Sequence, residues 1–291
     1  MTQTKSHYSA NPVTEPGANL GEGPTWDHRL GCLYWVDITA GTLHIHGSST
    51  RTNTSHKVSD EMLGCLFLTT VPGVLILALE SGFHRYNVNS KELTKIANAP
   101  TEGDTHRFND GKCGPGGELW IGTMAQRGSG DGQFYRIDDA WNSLPIGEPM
   151  PVPNGVEWSL DGRTLYHCNT VNKRINTYEY DATKGHVTQT SGAIDLSHLD
   201  GAPDGIALDT QGHLWIAFWG GSCVRCIDPA NGSVLSTIDL PVPCVTSVAF
   251  GGAQFDDLFI TTASNGGSVG GALYHAKVDV PGRPENIFSL N

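Results

Sequence analysis

The chain has 291 residues, with 18 Lys and Arg against 30 Asp and Glu and a formal net charge of −12. That field repels nucleic acid and anionic membrane surfaces, so neither is expected as a partner. The 36 Gly and 16 Pro are scattered along the chain; they leave no helix-favouring stretch of useful length and point to strands and turns.

In chain order, residues 1–15 are polar and read as a flexible N-terminal segment, with residues 16–291 as a single domain. The opening stretch Met1 to His7 lacks the apolar run of a signal peptide and no 18-residue apolar stretch offers a membrane span. A cytoplasmic location is therefore expected. From there a turn followed by a short apolar strand recurs. It reads Gly31-Cys32-Leu33-Tyr34-Trp35-Val36, then Pro72-Gly73-Val74-Leu75-Ile76-Leu77, then Gly116-Gly117-Glu118-Leu119-Trp120-Ile121. The later copies are Gly162-Arg163-Thr164-Leu165-Tyr166-His167, Gly212-His213-Leu214-Trp215-Ile216-Ala217 and Asp256-Asp257-Leu258-Phe259-Ile260-Thr261. Their markers Tyr34, Leu75, Trp120, Tyr166, Trp215 and Phe259 are spaced 41, 45, 46, 49 and 44 residues apart. A further alternating strand follows each copy, from Gly41-Thr42-Leu43-His44-Ile45 to Gly271-Ala272-Leu273-Tyr274-His275. Several short strands per repeat cannot bury both faces alone, so the units must stack around an axis. The expected fold is all-β, a six-bladed β-propeller with a central metal-binding channel, its last blade closed by strand material from the opposite terminus.

The seven Cys read as reduced, buried thiols in a chain far larger than a disulfide-stapled module. Cys223-Val224-Arg225-Cys226 has metal-knuckle spacing, but on a strand positions three apart face opposite sides, and no second pair or nearby His completes a site.

In a propeller the first strand of each blade lines the axis, and the repeated strand is its neighbour. Counting back 11 or 12 residues from the markers reaches Glu22, Asn109, Asn154, Asp204 and Ser247; from Leu75 it reaches only Leu63 or Gly64. Asn-Gly and Asp-Gly are first of all turn formers, yet the shared register aims these oxygen-bearing side chains at one axis. Two carboxylates converging there repel and raise a pKa unless a cation lies between them. A metal held by Glu22, Asp204 and the carbonyl of Asn154, with water in the remaining positions, resolves that conflict. All-oxygen coordination suits Ca²⁺, Mg²⁺ or Mn²⁺, whereas Zn²⁺ more often recruits His or Cys. Arg107, two residues before Asn109, can face the same way as a guanidinium fork for ligand oxygens. His106 is assigned to packing and Asp110 to the turn, and no Ser-His-Asp arrangement falls in register.

The same residues carry a family resemblance. Leu20-Gly21-Glu22-Gly23-Pro24-Thr25-Trp26, Tyr34-Trp35-Val36-Asp37-Ile38, Arg107-Phe108-Asn109-Asp110-Gly111-Lys112, Gly122-Thr123-Met124, Asn154-Gly155, Pro203-Asp204-Gly205 and Val245-Thr246-Ser247-Val248-Ala249-Phe250-Gly251-Gly252 occur in order along almost the whole chain. They resemble the SMP-30/gluconolactonase group, which includes regucalcin, bacterial sugar lactonases and luciferin-regenerating enzyme. The resemblance implies a six-bladed propeller, metal ligands at Glu22, Asn154 and Asp204, a substrate-facing pair at Arg107 and Asn109, and a general base at Asp204. It implies one divalent ion, Ca²⁺, Mn²⁺, Mg²⁺ or Zn²⁺. Two departures bear on substrate preference: the segment from Ala125 to Gly132 is shorter than the lid of the animal proteins, and His167-Cys168-Asn169-Thr170 stands where the family often has an Asp.

The activity expected from this resemblance is metal-dependent hydrolysis of a sugar lactone, an aldonolactone such as glucono- or xylonolactone, to the aldonic acid, by a monomer or weak homo-oligomer. The rival readings are a phosphotriesterase or arylesterase using the same metal site, which a more apolar channel mouth favours, and a non-enzymatic calcium-binding propeller, which a fully protein-filled coordination shell favours.

Overall fold

A computed structural model describes residues 6–101, 105–126, 131–183, 186–267 and 269–290. Among them the chain forms strands and no helix. The first is β1 (Ser6–Pro12). There follow β2 (Gly21–Asp27), β3 (Cys32–Asp37), β4 (Thr42–Gly47) and β5 (Thr52–Lys57), then β6 (Leu63–Leu68), β7 (Val74–Leu79), β8 (Gly82–Asn87) and β9 (Leu93–Asn98). Next come β10 (His106–Cys113), β11 (Leu119–Ala125), β12 (Gly132–Ile137) and β13 (Ser143–Met150), and β14 (Pro153–Trp158), β15 (Thr164–Asn169), β16 (Arg174–Asp181) and β17 (His186–Asp195). The chain ends with β18 (Ala202–Leu208), β19 (Leu214–Trp219), β20 (Cys223–Ile227) and β21 (Val234–Asp239), and with β22 (Val245–Gly251), β23 (Asp257–Thr262) and β24 (Tyr274–Lys277).

Strands β2 to β17 make four separate four-stranded antiparallel sheets in chain order. The six separate blades expected are not what the hydrogen bonds give. The other strands form one eight-stranded sheet, because β1 pairs parallel with β21 through Ser6 to Ser9 and antiparallel with β24 through Ala10 to Pro12. Much of the segment read as flexible is therefore this joining strand, and the opposite terminus does supply the closing strand material. All six repeat markers lie on second strands, β3, β7, β11, β15, β19 and β23.

Burial explains the pattern of the repeat. Val74-Leu75-Ile76-Leu77-Ala78-Leu79 is buried at every position because a sheet lies against each face, whereas the outer strand Leu93 to Asn98 keeps no fully buried residue. The apolar clusters sit between neighbouring sheets. Tyr34 and Val36 pack with Leu75 and Leu77, and Phe67 and Ile76 pack with Phe108 and Ile121. Within the eight-stranded sheet, Trp215 and Val224 pack against Phe250 and Ile260, so its two ends face each other across a core of their own. The first strands β2, β6, β10, β14, β18 and β22 lie side by side in a closed ring.

The far end of that ring is covered by a feature the repeat did not foretell, the segment 281–288. Its backbone bonds in turn to Thr210 and Phe255 and, through Phe288, to Leu68 and Thr70. Arg283 Nη2 donates to Glu157 Oε1 (2.6 Å) and to the Trp158 carbonyl (2.9 Å), and Asn286 Nδ2 donates to the Cys113 carbonyl (3.0 Å). Lys112 lies between Glu157 (2.8 Å) and Glu285 (3.5 Å), and these two carboxylates push its pKa up against the pull of burial. Arg283→Ala leaves Lys112 on Glu157 but removes a charge-assisted bond; it should cost about 2 kcal/mol in urea unfolding, and an unchanged midpoint would show that the strap is held by its backbone alone.

Candidate active site

Each strand of the inner ring carries a register shift at the same level: Glu22 to Thr25, Leu63 to Cys65, Phe108 to Gly111, Pro153 to Val156, Pro203 to Ile206 and Val245 to Ser247. A bulge interrupts strict alternation and re-aims side chains, and here it turns them toward the axis. The glycines beside the polar residues are explained by crowding there. A Cβ on Gly155 would lie 2.6 Å from the Asp204 carbonyl oxygen, and one on Gly205 would collide with Ser247. Asp110-Gly111, Asn154-Gly155 and Asp204-Gly205 are bulge pairs rather than hairpin turns.

Glu22, Arg107, Asn109, Asn154 and Asp204 all line one cavity of about 350 Å³ at the mouth of the ring. Four of them, Glu22, Asn109, Asn154 and Asp204, are only 4 to 6 % exposed. Ser247, the fifth member of the register, lies deeper, in a smaller inner space that it shares with Asp110. His106 is not a packing residue: its ring bonds to Thr105 Oγ1 (2.9 Å) and to the Asp131 carbonyl (3.2 Å).

A chain of hydrogen bonds fixes the amides. Arg107 Nη1 donates to Asn109 Oδ1 (2.8 Å) and to the Phe108 carbonyl (2.8 Å). Asn109 Nδ2 donates to the Pro153 carbonyl (3.0 Å) and to Asn154 Oδ1 (3.0 Å). Asn154 Nδ2 donates to Thr170 Oγ1 (3.1 Å), whose own proton goes to the Pro203 carbonyl (2.8 Å). Asn154 Oδ1 thus accepts one bond and has a second lone pair to offer. Thr170 lay within the stretch read as a departure from the family pattern. His167, from the same stretch, faces away: it is fully buried, stacks on Phe134 with ring centroids 3.9 Å apart, and burial pushes its pKa down to about 3.

The carboxylates are electrostatically unsettled. Burial, followed by the charge of Asp110, pushes Glu22 up to about 8 against the Gly23 N–H and Arg107. Asp204 is raised well above the usual range by burial, then by Glu22 and Asp110, with Arg107 opposing. Asp110 itself is pushed up to about 6, chiefly by burial. It lies at the bulge of β10 and not in a turn, and is a third carboxylate beside the axis. Asp204 Oδ1 is buried and has no hydrogen-bond partner among the described residues. A buried orphan acceptor is costly. The oxygens of Glu22, Asp204 and Asn154 fit a hard divalent ion.

Elsewhere the cysteines behave as expected in one respect and not in another. All seven are free thiols, five of them buried. Cys223 and Cys226 do face opposite sides, toward different cores. A His nevertheless approaches Cys226, for Asp209, His213 and Cys226 bring ligand atoms within 4.8 Å of one another. The Asp209 carboxylate is already occupied by the backbone N–H groups of Gln211 and His213 and by Trp215 Nε1, which makes it the cap of a turn. Residues 127–130 of the shortened lid lie outside the described residues.

The family described as the SMP-30/Gluconolactonase/LRE-like region matches residues 20–264. A putative sugar lactone lactonase of Bacillus subtilis is 34% identical over 252 residues, 85% of this chain and 84% of its own. A pentonolactonase of Haloferax volcanii is 32% identical over 287 residues, 94% of this chain and 96% of its own. Among solved structures, a calcium-binding protein, regucalcin, of Agrobacterium tumefaciens superposes with a TM-score of 0.90 at 26% identity, covering 99% of this chain and 100% of that one.

Proposed function

Because the chain belongs to the SMP-30/gluconolactonase/LRE-like family, we propose that it hydrolyses a sugar lactone to the open-chain acid with one divalent metal ion at the mouth of the ring. The eight-stranded sheet counts in this reading as two blades joined through β1, which brings the units around the axis to six. The observation that carries the reading is the orphaned Asp204 Oδ1 on one cavity with Glu22, Arg107, Asn109 and Asn154.

Glu22, Asn154 and Asp204 are the residues that would hold the ion, and an ion bound there supplies positive charge that polarises an ester carbonyl. Asp204 accepts the proton of the attacking water. Asn109, with Oδ1 engaged by Arg107, and the Arg107 guanidinium orient the ring oxygens of the lactone. Thr170 acts through Asn154, holding its amide so that oxygen rather than nitrogen faces the cavity. Thr170→Val should therefore weaken divalent-ion affinity about tenfold, the lower end for a partner that orients a ligand, and Thr170→Ser should restore it. Equal affinity in all three proteins, read by calorimetry, would remove Thr170 from this role.

The experiment that tests the activity is pH-stat hydrolysis of glucono-, xylono- and galactonolactone by the metal-loaded protein, corrected for spontaneous opening. Turnover of at least one is expected. A phosphotriester and an aryl ester belong in the same series, because Leu20, Met124, Val152 and Trp219 give the mouth an apolar wall that favours the arylesterase or phosphotriesterase reading. Turnover of those two alone would replace the lactone. No turnover of any substrate would leave a calcium-binding propeller, a reading to which the open cavity beside Asp204 lends no support.

A further inference from the structure

A second cavity, of about 440 Å³, shares no residue with the first. It lies toward the opposite end of the molecule, where β4 ends and β23 begins, and is bounded by His46, Ser48, Arg51, Asp257, Phe259 and His275. Its walls are specific about hydrogen. Asn53 Nδ2 donates to the Val13 carbonyl (2.9 Å), which turns Asn53 Oδ1 toward His46 Nδ1 (2.7 Å). His46 Nδ1 must then carry the proton, leaving Nε2 of the neutral ring as a bare acceptor. His46 is only 5 % exposed, and burial lowers its pKa, which keeps the ring neutral. His275 Nε2 lies 2.8 Å from Asp257 Oδ1, and Lys277 reaches the same carboxylate (3.1 Å). Phe259 forms an apolar floor between the rings of His46 and His275, with centroids 5.6 and 5.4 Å away. Arg51 is exposed and, among the described residues, has neither an ion pair nor a hydrogen bond.

We infer that this cavity binds a small, open-chain hydroxylated monocarboxylate. The free guanidinium of Arg51, with the Ser48 hydroxyl, takes the carboxylate through paired donors. The acceptors, His46 Nε2 and the Asp257 carboxylate, require hydroxyl groups on the ligand, and Phe259 takes its C–H face. One uncompensated cation beside a carboxylate suits a monoanion and disfavours a dianionic phosphate ester. These walls alone set the ligand's chemistry, which does not depend on lactone hydrolysis. If that reaction holds, the ligand belongs to the class of its product, and the cavity is a place where product can be sensed away from the mouth.

The test is calorimetric titration of the metal-loaded full chain with D-gluconate, with D-glucitol and propionate as ligands lacking the carboxylate or the hydroxyls. A gluconate site that loses about tenfold or more in affinity in Arg51→Ala, and again in His46→Leu, is expected, with melting temperature and initial hydrolysis rate unchanged in Arg51→Ala. Glucitol and propionate should each bind at least about tenfold more weakly than gluconate. Arg51→Ala carries the test if His46→Leu fails to fold, since Arg51 is on the surface. Gluconate binding that is absent at millimolar concentration, indifferent to Arg51, or matched by glucitol would overturn the proposal. Binding lost in Asp204→Asn but kept in Arg51→Ala would place the ligand at the mouth and overturn it equally.

Discussion

Metal-saturated Asp204→Asn should turn over lactone at least about 10²-fold more slowly than the unmodified protein, the scale of a positioned proton acceptor. The substitution keeps an oxygen ligand of nearly the same size in a position that is 4 % exposed, so packing is preserved. It removes a negative charge, which weakens ion binding, and excess metal compensates for that loss by mass action. What excess metal does not restore is basicity, because an amide accepts no proton near neutral pH. The measurement pairs pH-stat rates with metal content determined on the same sample. Asn109→Ala is the contrast: Asn109 binds Arg107, the Pro153 carbonyl and Asn154, so its loss should raise KM more than it lowers metal occupancy. Full turnover by ion-loaded Asp204→Asn would transfer the base role elsewhere, and Asp110, the third raised carboxylate near the axis, is the first place to look.

The repeat was legible because burial imposes it. A second strand clamped between two sheets must be apolar on both faces, and so Trp120, Trp215 and Phe259 announce themselves at nearly even spacing. The register of Glu22, Asn109, Asn154 and Asp204 was legible for a related reason: the inner strands are all short, 6 to 8 residues, and their bulges fall at one level. Turn chemistry is the wrong guide at the bulge itself, where the Asp110-Gly111 pair sits within β10. Closure by the opposite terminus follows from the repeat, but which residues supply it is not legible locally, since Ser6 to Pro12 is polar and becomes a strand only because β21 and β24 each present an edge to it. The covering strap is hidden for the opposite reason. Pro281, Pro284 and the charges of Arg283 and Glu285 carry no strand period, and their meaning lies in Glu157 and Lys112, which are remote in sequence.

Stripping divalent ions should make the stability of the protein fall as pH rises, and restoring them should cancel that fall. Glu22 goes from an ordinary 4.5 to about 8 in the folded chain, and Asp204 is raised well above 3.8. For a carboxylate raised by folding, its stabilising contribution is complete below the unfolded value, where the group is protonated in both states. It is lost as pH climbs through the folded value, because the unfolded chain releases the proton more readily. The melting temperature of chelated protein should therefore decline between about pH 5 and about pH 8. A cation that binds only the folded ring must displace those protons, so its effect grows over the same interval. At about a thousand times its dissociation constant the ion contributes about 4 kcal/mol, roughly 7 °C in melting temperature for a domain of this size. Glu22→Gln removes one of the two raised carboxylates and should flatten the decline while weakening the response to the ion. A melting temperature indifferent to millimolar Ca²⁺, Mn²⁺, Mg²⁺ and Zn²⁺ at pH 8 would mean that Glu22 and Asp204 are held apart by the protein alone, with Asp204 Oδ1 left as a buried acceptor that no ion relieves.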